Sequence, residues 1–552
     1  MSAFAVQQDA SAHETLNTDV LIVGMGPSGA TLANLLGQRG QRVVIVDQAA
    51  AIYDKPRAIT ADQESLRVFQ EIGLAEEINA CTTPHPGTDF VGLRGQVIKR
   101  FYPAPPPEPL AWAPSFMFVQ PELEATLRRG LKRYDQVTAL TAHTYVNLNQ
   151  DADGVVATLH RQSDGQQVTV QARYVVAADG ATSTIRKQWR APVEDLAFDE
   201  WWLVVDAWIR GPVELPERCV QYCRPSRPGT YIVGPGDLRR WEIKILPGER
   251  PEDFQLHDAV WSVLGEFVDT QHLAHCRTAI YRFHALVVET WRQGRVFLMG
   301  DAAHQMPPFL GQGLGAGVRD AYNLAWKLDA VLRQRAQPAL LDTYGPERKR
   351  HVRTVVGHAK HFGLIIGELD EERARQRDAM LEAELQSGAA LTVRQKFIPG
   401  LETGLLHHTP EGDLGQGAGA LCIQPWVRPS AHQAWRRLDD LTGGRFALIT
   451  TSVELLNAMT ETDWADWQAL DAAAVLISTV SQHTVQVLNP LAHSSVAFQL
   501  QERDGLLSAW LAEQSATALL ARPDHYVYGL ISDLSGLRQR FNELTTQGIQ
   551  TC

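Results

Sequence analysis

The 552-residue sequence predicts an α/β protein, a Rossmann-like parallel sheet interrupted by an inserted antiparallel sheet and followed by a third α/β unit. Three observations predict it. A strand, a GxGxxG turn and a helix open the chain; short aromatic and β-branched segments between Pro/Gly turns fill residues 195–279; and strands and helices alternate again after about Gly400. Residues 18–194 and 280–395 are therefore expected to form one discontinuous domain, 195–279 an inserted one, and 400–552 a third.

Thr18–Val23 is a buried-strand pattern running into Gly24, Met25, Gly26, Pro27, Ser28 and Gly29. An Ala/Leu-rich helix follows to Gly37, and a second strand, Arg42–Val46, ends at Asp47 and Gln48. In that context the glycines let a pyrophosphate approach backbone N–H groups at the helix start, and the acid takes a ribose hydroxyl pair. A dinucleotide site is expected there. Arg57 precedes an amphipathic helix over residues 61–72, residues 84–114 are rich in Pro and aromatics without period, and Phe116–Gln120 leads into a helix opened by Pro121. Ala172–Ala178 is a strand ending in Asp179-Gly180, a turn that opens a helix start suited to phosphate.

The inserted segments around Trp201, Cys219–Cys223, Thr230–Val233 and Trp241–Leu246 read as a sheet that would roof the nucleotide site. Tyr222, Tyr231 and Trp241 are candidates to line a pocket beneath it, with packing in the sheet core as the alternative for each. The stretch RVFLMGDAAHQMPPFLGQGLGAGVRDAYNLAWKL, from Arg295, places Asp301 at a strand's carboxyl end, where it can accept hydrogen bonds from a polyol. Pro307 and Pro308 exclude helix, and Gly311, Gly313, Gly315 and Gly317 let backbone approach a flat ligand. A loop running to about Val318 exceeds what a plain connection needs. The next helix would aim its positive end at something that becomes anionic.

Beyond Leu332 the chain reads as helical to about Lys396, with a solvated charge run from Glu368. The third unit has strands at Arg445–Thr450 and Ala474–Val480, a helix over Leu506–Glu513, and strands near Leu519 and Tyr526. With 45% hydrophobic and 21% charged residues the chain is expected to be globular, and no apolar run is long enough to span a bilayer. A formal charge of -12 argues against nucleic acid. The first fifteen residues lack a signal-peptide pattern, and six cysteines without CxxC or zinc spacing suit a reducing, cytoplasmic setting with no metal site.

Gly300–His304 and Asp320–Leu328, with the GxGxxG turn and Asp179-Gly180, resemble the motifs of the group A aromatic monooxygenases, flavoprotein hydroxylases similar to para-hydroxybenzoate hydroxylase. PRAITADQESLRVFQEIGL from Pro56, FVQPELE from Phe118 and MGDAAHQMPPFLGQG from Met299 are most similar to the 3-(3-hydroxyphenyl)propionate hydroxylase branch. The resemblance implies FAD, NADH or NADPH as co-substrate, O2, and a small aromatic substrate hydroxylated ortho to a phenolic hydroxyl. It places Arg57, Gln120, Asp179, Asp301, Pro308, Gly311, Gly313, Leu314 and Gly315 at the flavin. Pro308 would also position the substrate through its backbone, with Phe309 beside it. It makes His304 a structural part of its turn, and likens residues 400–552 to a thioredoxin-like domain that lacks CxxC and serves packing or homodimer formation. An acidic substrate tail would need a cation, for which Arg224, Arg227, Arg239 and Arg240 are candidates.

Two departures stand out: Asp47 where the family usually has Glu, and Gly315 where it commonly has Asn. Two alternatives stay open, a hydroxylase of larger polycyclic or heteroaromatic substrates and a flavin-binding protein without turnover, which Gly315 would favour.

Overall fold

The computed structural model describes residues 14–390, 392–479 and 497–550. The leader up to residue 13, Val480 at the end of the expected strand, and Cys552 lie outside the described residues.

The apolar runs of the sequence become the centre of a mainly parallel sheet. Its strands lie in the order Arg292–Gln293, Val296–Leu298, Gln167–Ala177, Glu14–Val23, Val43–Val46 and Val137–Leu140, with only the first pairing antiparallel. A hairpin of His143–Gln150 and Val155–Arg161 extends it from Gln167–Ala177. Val20–Val23 and Val43–Val46 are buried, which is why they read as continuous hydrophobic runs rather than alternating ones. The Pro27–Gln38 and Gly313–Leu332 helices meet on this sheet at very close range: a Cβ on Gly317 would stand 2.1 Å from Ser28 Oγ.

The second sheet has eight strands, in the order His304–Gln305, Leu273–Val288, Val193–Ile209, Leu238–Lys244, Gly229–Val233, Cys219–Tyr222, Thr88–Val91 and Val97–Phe101. It is larger than the sequence suggests. The Leu273–Val288 strand runs through the expected boundary at residue 279. Thr88–Val91 and Val97–Phe101 come from the stretch read as lacking period, and Thr88–Val91 joins by parallel pairing with Cys219–Tyr222. That pairing links residues far apart in the chain, and Arg218 and Arg100 both bind Asp89 across it. Local pattern cannot announce such a partner.

The expected single helical stretch after Leu332 is two helices, Tyr344–Ile366 and Glu371–Ser387, separated near Gly367 and restarted by Asp370, whose side chain accepts from Arg373 N. The C-terminal unit is mixed α/β. Ala447–Thr450, Ala473–Thr479 and Ala497–Glu502 pair in parallel, and Ala518–Ala521 and Val527–Ile531 add antiparallel at one side. Buried ion pairs fasten it to the first domain: Arg67 to both oxygens of Asp439, and Arg522 to both oxygens of Glu347. Among the described residues no helix is long and apolar enough to cross a membrane.

Candidate active site

The carboxyl ends of the parallel strands open onto a cavity of about 730 Å³ whose far wall is one face of the second sheet. Gly24, Gly26, Pro27, Ser28, Asp47, Gln48, Arg57, Gln120, Asp179, Asp301, Pro308, Gly311, Gly313 and Leu314 all line it. Segments nearly 300 residues apart in sequence are thus gathered where a doubly wound sheet binds its ligand. Two expected residues stand off the wall. A Cβ on Gly29 would lie 2.0 Å from Gly24 O, so Gly29 lets the turn close; Gly315 lies within a helix.

The glycines do different work. Gly24 has φ +107°, and a Cβ there would sit 2.1 Å from Ala178 O, so only glycine suits both backbone and space. Around Gly26 and Gly313 no protein atom outside the adjoining backbone lies within 4 Å of where a Cβ would be. The backbone there is bare toward the cavity. Asp47 is fixed by Met25 N (3.0 Å) and Ala49 N (2.8 Å).

The Gln120–Leu131 helix presents Gln120, Glu124 and Arg128 on one face of successive turns, and all three reach the cavity. Gln120 accepts from Ala58 N (2.6 Å) and donates to Glu124 (2.7 Å), and Arg57 donates to the same carboxylate (2.6 Å). Glu124 and Arg128 were missed in the sequence, although the i, i+4, i+8 spacing from Gln120 was there to be read. Arg128 also stands 3.5 Å from Asp47, and its Nε is buried without a partner.

Asp179 corrects an expectation. Its Oδ2 accepts from Thr184 N (2.8 Å) and Ile185 N (3.3 Å), and Ser183 Oγ accepts from Arg186 N, so the protein's own side chains occupy the helix start that the turn seemed to offer a phosphate. Asp179 Oδ1 remains buried and unpartnered in the cavity wall. Asp301 is exposed to the open cavity, and the protein around it pushes its pKa up despite His304, Arg57 and Arg186 nearby. His304 is held between Asp320 (2.8 Å) and the face of Trp291.

The glycine-rich loop is shorter than expected, because the helix begins at Gly313 rather than near Val318. Gly311 (φ +65°) turns the chain, and Gly313 and Leu314 bring the first helical turn to the cavity. Gly315 and Gly317 are there for packing. A Cβ on Gly315 would stand 2.8 Å from Arg319 Nη1, in a buried cluster where Arg319 binds Asp62, Glu64 and Gln312. The missing Asn side chain is thus matched by an arginine that fills its space. Gly315→Asn is expected to cost about 1–3 kcal/mol through overpacking of this cluster. Denaturant unfolding at neutral pH checks it, and an unchanged midpoint would refute the account.

Tyr222, Tyr231, Trp241 and Phe309 are corrected as well, since none lines the cavity. Paired residues share a face, and Val205, Trp241, Tyr231 and Val220 lie directly across from one another. That row, with Tyr222, packs against Val260 and Leu264 on the sheet's other side. The cavity face carries the intervening positions, Val204, Ile232, Arg240 and Glu242, with Tyr281 and Phe283 from the next strand. Phe309 is buried against Trp202, Phe198 and Phe283. Among the described residues no group of His, Cys, Asp and Glu could hold a metal ion.

These features fit a flavin dinucleotide: bare glycine backbone at two points of one extended cavity, and in its wall a buried unpartnered carboxylate oxygen at Asp179 and a buried unpartnered N–H at Arg128. A family model described as FAD binding domain matches residues 17–359, and one described as HcaD C-terminal domain matches residues 419–546. The 3-(3-hydroxy-phenyl)propionate/3-hydroxycinnamic acid hydroxylase of Comamonas testosteroni is 31% identical over 94% of each chain. That of Mycolicibacterium gilvum is 34% identical over 93% of this chain and 89% of its own. Among solved structures, the flavin-dependent monooxygenase PieE with FAD and substrate superposes at a TM-score of 0.79 with 23% identity, covering 96% of this chain and 99% of that one. Aklavinone-11 hydroxylase with FAD and aklavinone superposes at 0.74 with 22% identity, covering 96% and 100%. At such identities the two structures establish the fold alone.

Proposed function

The chain belongs to the family of FAD-dependent aromatic hydroxylases, and on that premise we propose that its substrate is a phenol with an acidic side chain, 3-(3-hydroxyphenyl)propionate or a close analogue, hydroxylated ortho to the existing hydroxyl. The observation that carries the substrate reading is the likeness to relatives of that named activity over nearly the whole chain. Bound FAD supplies the redox chemistry, taking electrons from NADH or NADPH and delivering one atom of O2 to the ring. The chain's own residues bind and orient. Gly24, Gly26 and the start of the Pro27–Gln38 helix would receive the pyrophosphate, Asp47 a ribose, and Asp301 and Asp179 the polyol and its surroundings. The first turn of the Gly313–Leu332 helix would favour negative charge on the ring system through its free N–H groups. Val204, Ile232 and Phe283 exclude water from the opposite wall.

An acidic tail needs a cation, and the four arginines expected from the sequence are committed elsewhere. Arg224 lies over Phe267, Arg227 binds Glu249, Arg239 donates to the carbonyls of its own turn, and Arg240 binds both oxygens of Asp206. Arg394 is better suited. Its guanidinium stands 3.1 Å from His85 Nε2 and donates to Thr88 Oγ1 (3.2 Å), and no carboxylate pairs with it among the described residues. It stands behind Gly311 and Thr60, which line the cavity, with Nη1 3.6 Å from where a Gly311 Cβ would be. A hydrogen-bonded ion pair there is worth about 1.5–3 kcal/mol, so 3-(3-hydroxyphenyl)propionate should bind at least about tenfold more tightly than neutral 3-ethylphenol.

The test is nicotinamide oxidation and product analysis across 3-(3-hydroxyphenyl)propionate, 3-hydroxycinnamate, 3-ethylphenol and a polycyclic phenol. The acids should give catechol products, and Arg394→Met should erase their advantage over 3-ethylphenol. Preferential turnover of the neutral or polycyclic phenol would overturn the substrate reading. In the same reading the C-terminal unit is thioredoxin-like without redox function, consistent with its parallel strands flanked by an antiparallel pair and with the lack of a CxxC sequence. A homodimer and a cytoplasmic setting complete the reading.

A further inference from the structure

Along Leu238–Lys244 the side chains alternate between core and cavity, and at the cavity positions stand two charged residues, Arg240 and Glu242. Arg240 is spent on structure. It binds Asp206 through Nε and Nη2 (2.7 and 3.1 Å) and donates to the carbonyls of Arg57 (2.5 Å) and Pro56 (3.1 Å). Its closest approach to Glu242 is 3.9 Å, too long for a hydrogen bond. Thr230, directly across from Glu242, gives its hydroxyl to Gln221 (2.5 Å), and Val204 on the other side is apolar. Glu242 is therefore a carboxyl only 4% exposed, in the wall of the candidate active site, with no hydrogen-bond donor among the described residues. A buried carboxylate left so is costly. A ligand hydroxyl would supply the donor.

We propose that Glu242 is a catalytic residue that accepts the proton of the substrate's phenolic hydroxyl as the ring is hydroxylated; this rests on the phenol reading above. The phenol O–H bond breaks, the proton passes to a carboxylate oxygen, and the electron pair stays on the phenolic oxygen, which raises electron density at the ortho carbon. After that carbon has gained oxygen it loses its own proton to water, and Glu242 returns the first proton to the phenolic oxygen. The transfer consumes no oxidant or reductant. Burial pushes the Glu242 pKa up to about 7 against the pull of Arg240, which suits a base working at neutral pH. The other charged or titratable groups on this face are Lys244 on the same strand, Asp206 and Glu200 on the adjoining one, and Arg277 and Tyr281 beyond it, with Tyr53 and Arg57 across the cavity.

The experiment uses the FAD-loaded protein with 3-(3-hydroxyphenyl)propionate and, for binding without hydroxylation, its analogue 3-phenylpropionate. In the wild type, hydroxylation should rise with pH through an acid limb near 7, and the binding preference for the hydroxyl-bearing ligand should rise over the same range. Glu242→Gln should lower the hydroxylation rate about 10²–10⁴-fold, uncouple nicotinamide oxidation from product, and flatten both pH dependences. Glu242→Asp should retain a limb at a shifted pH, a rescue that a purely structural role would not produce. Wild-type coupling and pH limb in a Glu242→Gln protein that still binds FAD would overturn the proposal. If the wild type hydroxylates only some other phenol, the substrate reading fails, and the same variants measured with that phenol decide Glu242 separately.

Discussion

Arg522→Met is expected to destabilise the protein by about 3–5 kcal/mol, the cost of breaking a buried ion pair on one side. Arg522 donates to both oxygens of Glu347 (3.0 and 2.7 Å) and to both oxygens of Asp524 (2.9 and 2.7 Å), in a site closed to solvent. Lys327 adds a third bond to Glu347 (2.7 Å), and Asn323 bridges Glu347 and Asp524. Without Arg522, two buried carboxylates would face one ammonium. Burial alone would raise the Glu347 pKa, but Arg522 and Lys327 outweigh it and hold the carboxyl far below its ordinary value of 4.5. A carboxyl depressed in the folded state contributes stability that is present above about pH 4.5 and is lost as pH falls below it. Thermal unfolding at pH 7 should therefore separate wild type from Arg522→Met widely, and at pH 4 less so. Equal melting temperatures at pH 7 would show that the network does not fasten the C-terminal unit.

The parts of this molecule that were legible in the sequence are those whose chemistry is local. The turn at Gly24–Gly29, the acid at Asp47 and the strand-end Asp301 each need only a strand and its successor to take shape, and the parallel sheet then brings them together without further information. Where a choice depended on distant partners, the sequence was ambiguous. In WEIK the alternation assigns Trp241 and Glu242 to opposite faces but does not say which face is the core; the helix at His257–Leu264 decides it by covering the tryptophan. Aromatic residues were drawn into the pocket by their chemistry, whereas burial drew them away from it. The charged residues at the alternate positions, Arg240 and Glu242, were the better signal, because a charge within a strand flanked by core residues has to face something polar. Gly315 was read as flavin chemistry, whereas the space a side chain would need there is held by Arg319, bound to Asp62 and Glu64 about 255 residues earlier.

Gly26→Val should abolish tight flavin binding while leaving the apoprotein folded, a separation that Gly24→Val cannot give. At Gly24 a side chain would need φ +107° and would meet Ala178 O at 2.1 Å, so the turn itself must deform and the sheet beneath it with it. Gly26 has φ -71° and ψ -177°, which valine adopts without strain, and no protein atom beyond its chain neighbours lies within 4 Å of its would-be Cβ. The added methyl groups would therefore project into the cavity, over the first N–H groups of the Pro27–Gln38 helix, where a pyrophosphate must come into hydrogen-bond contact with backbone. Losing two charge-assisted hydrogen bonds at about 1.5–3 kcal/mol each would weaken FAD by about 10²–10⁴-fold. Apoprotein melting and flavin titration, measured on both variants, test the difference. If Gly26→Val binds FAD as the wild type does, the pyrophosphate does not lie on this turn; if its apoprotein melts as low as that of Gly24→Val, the space around Gly26 is needed for folding and not for the ligand.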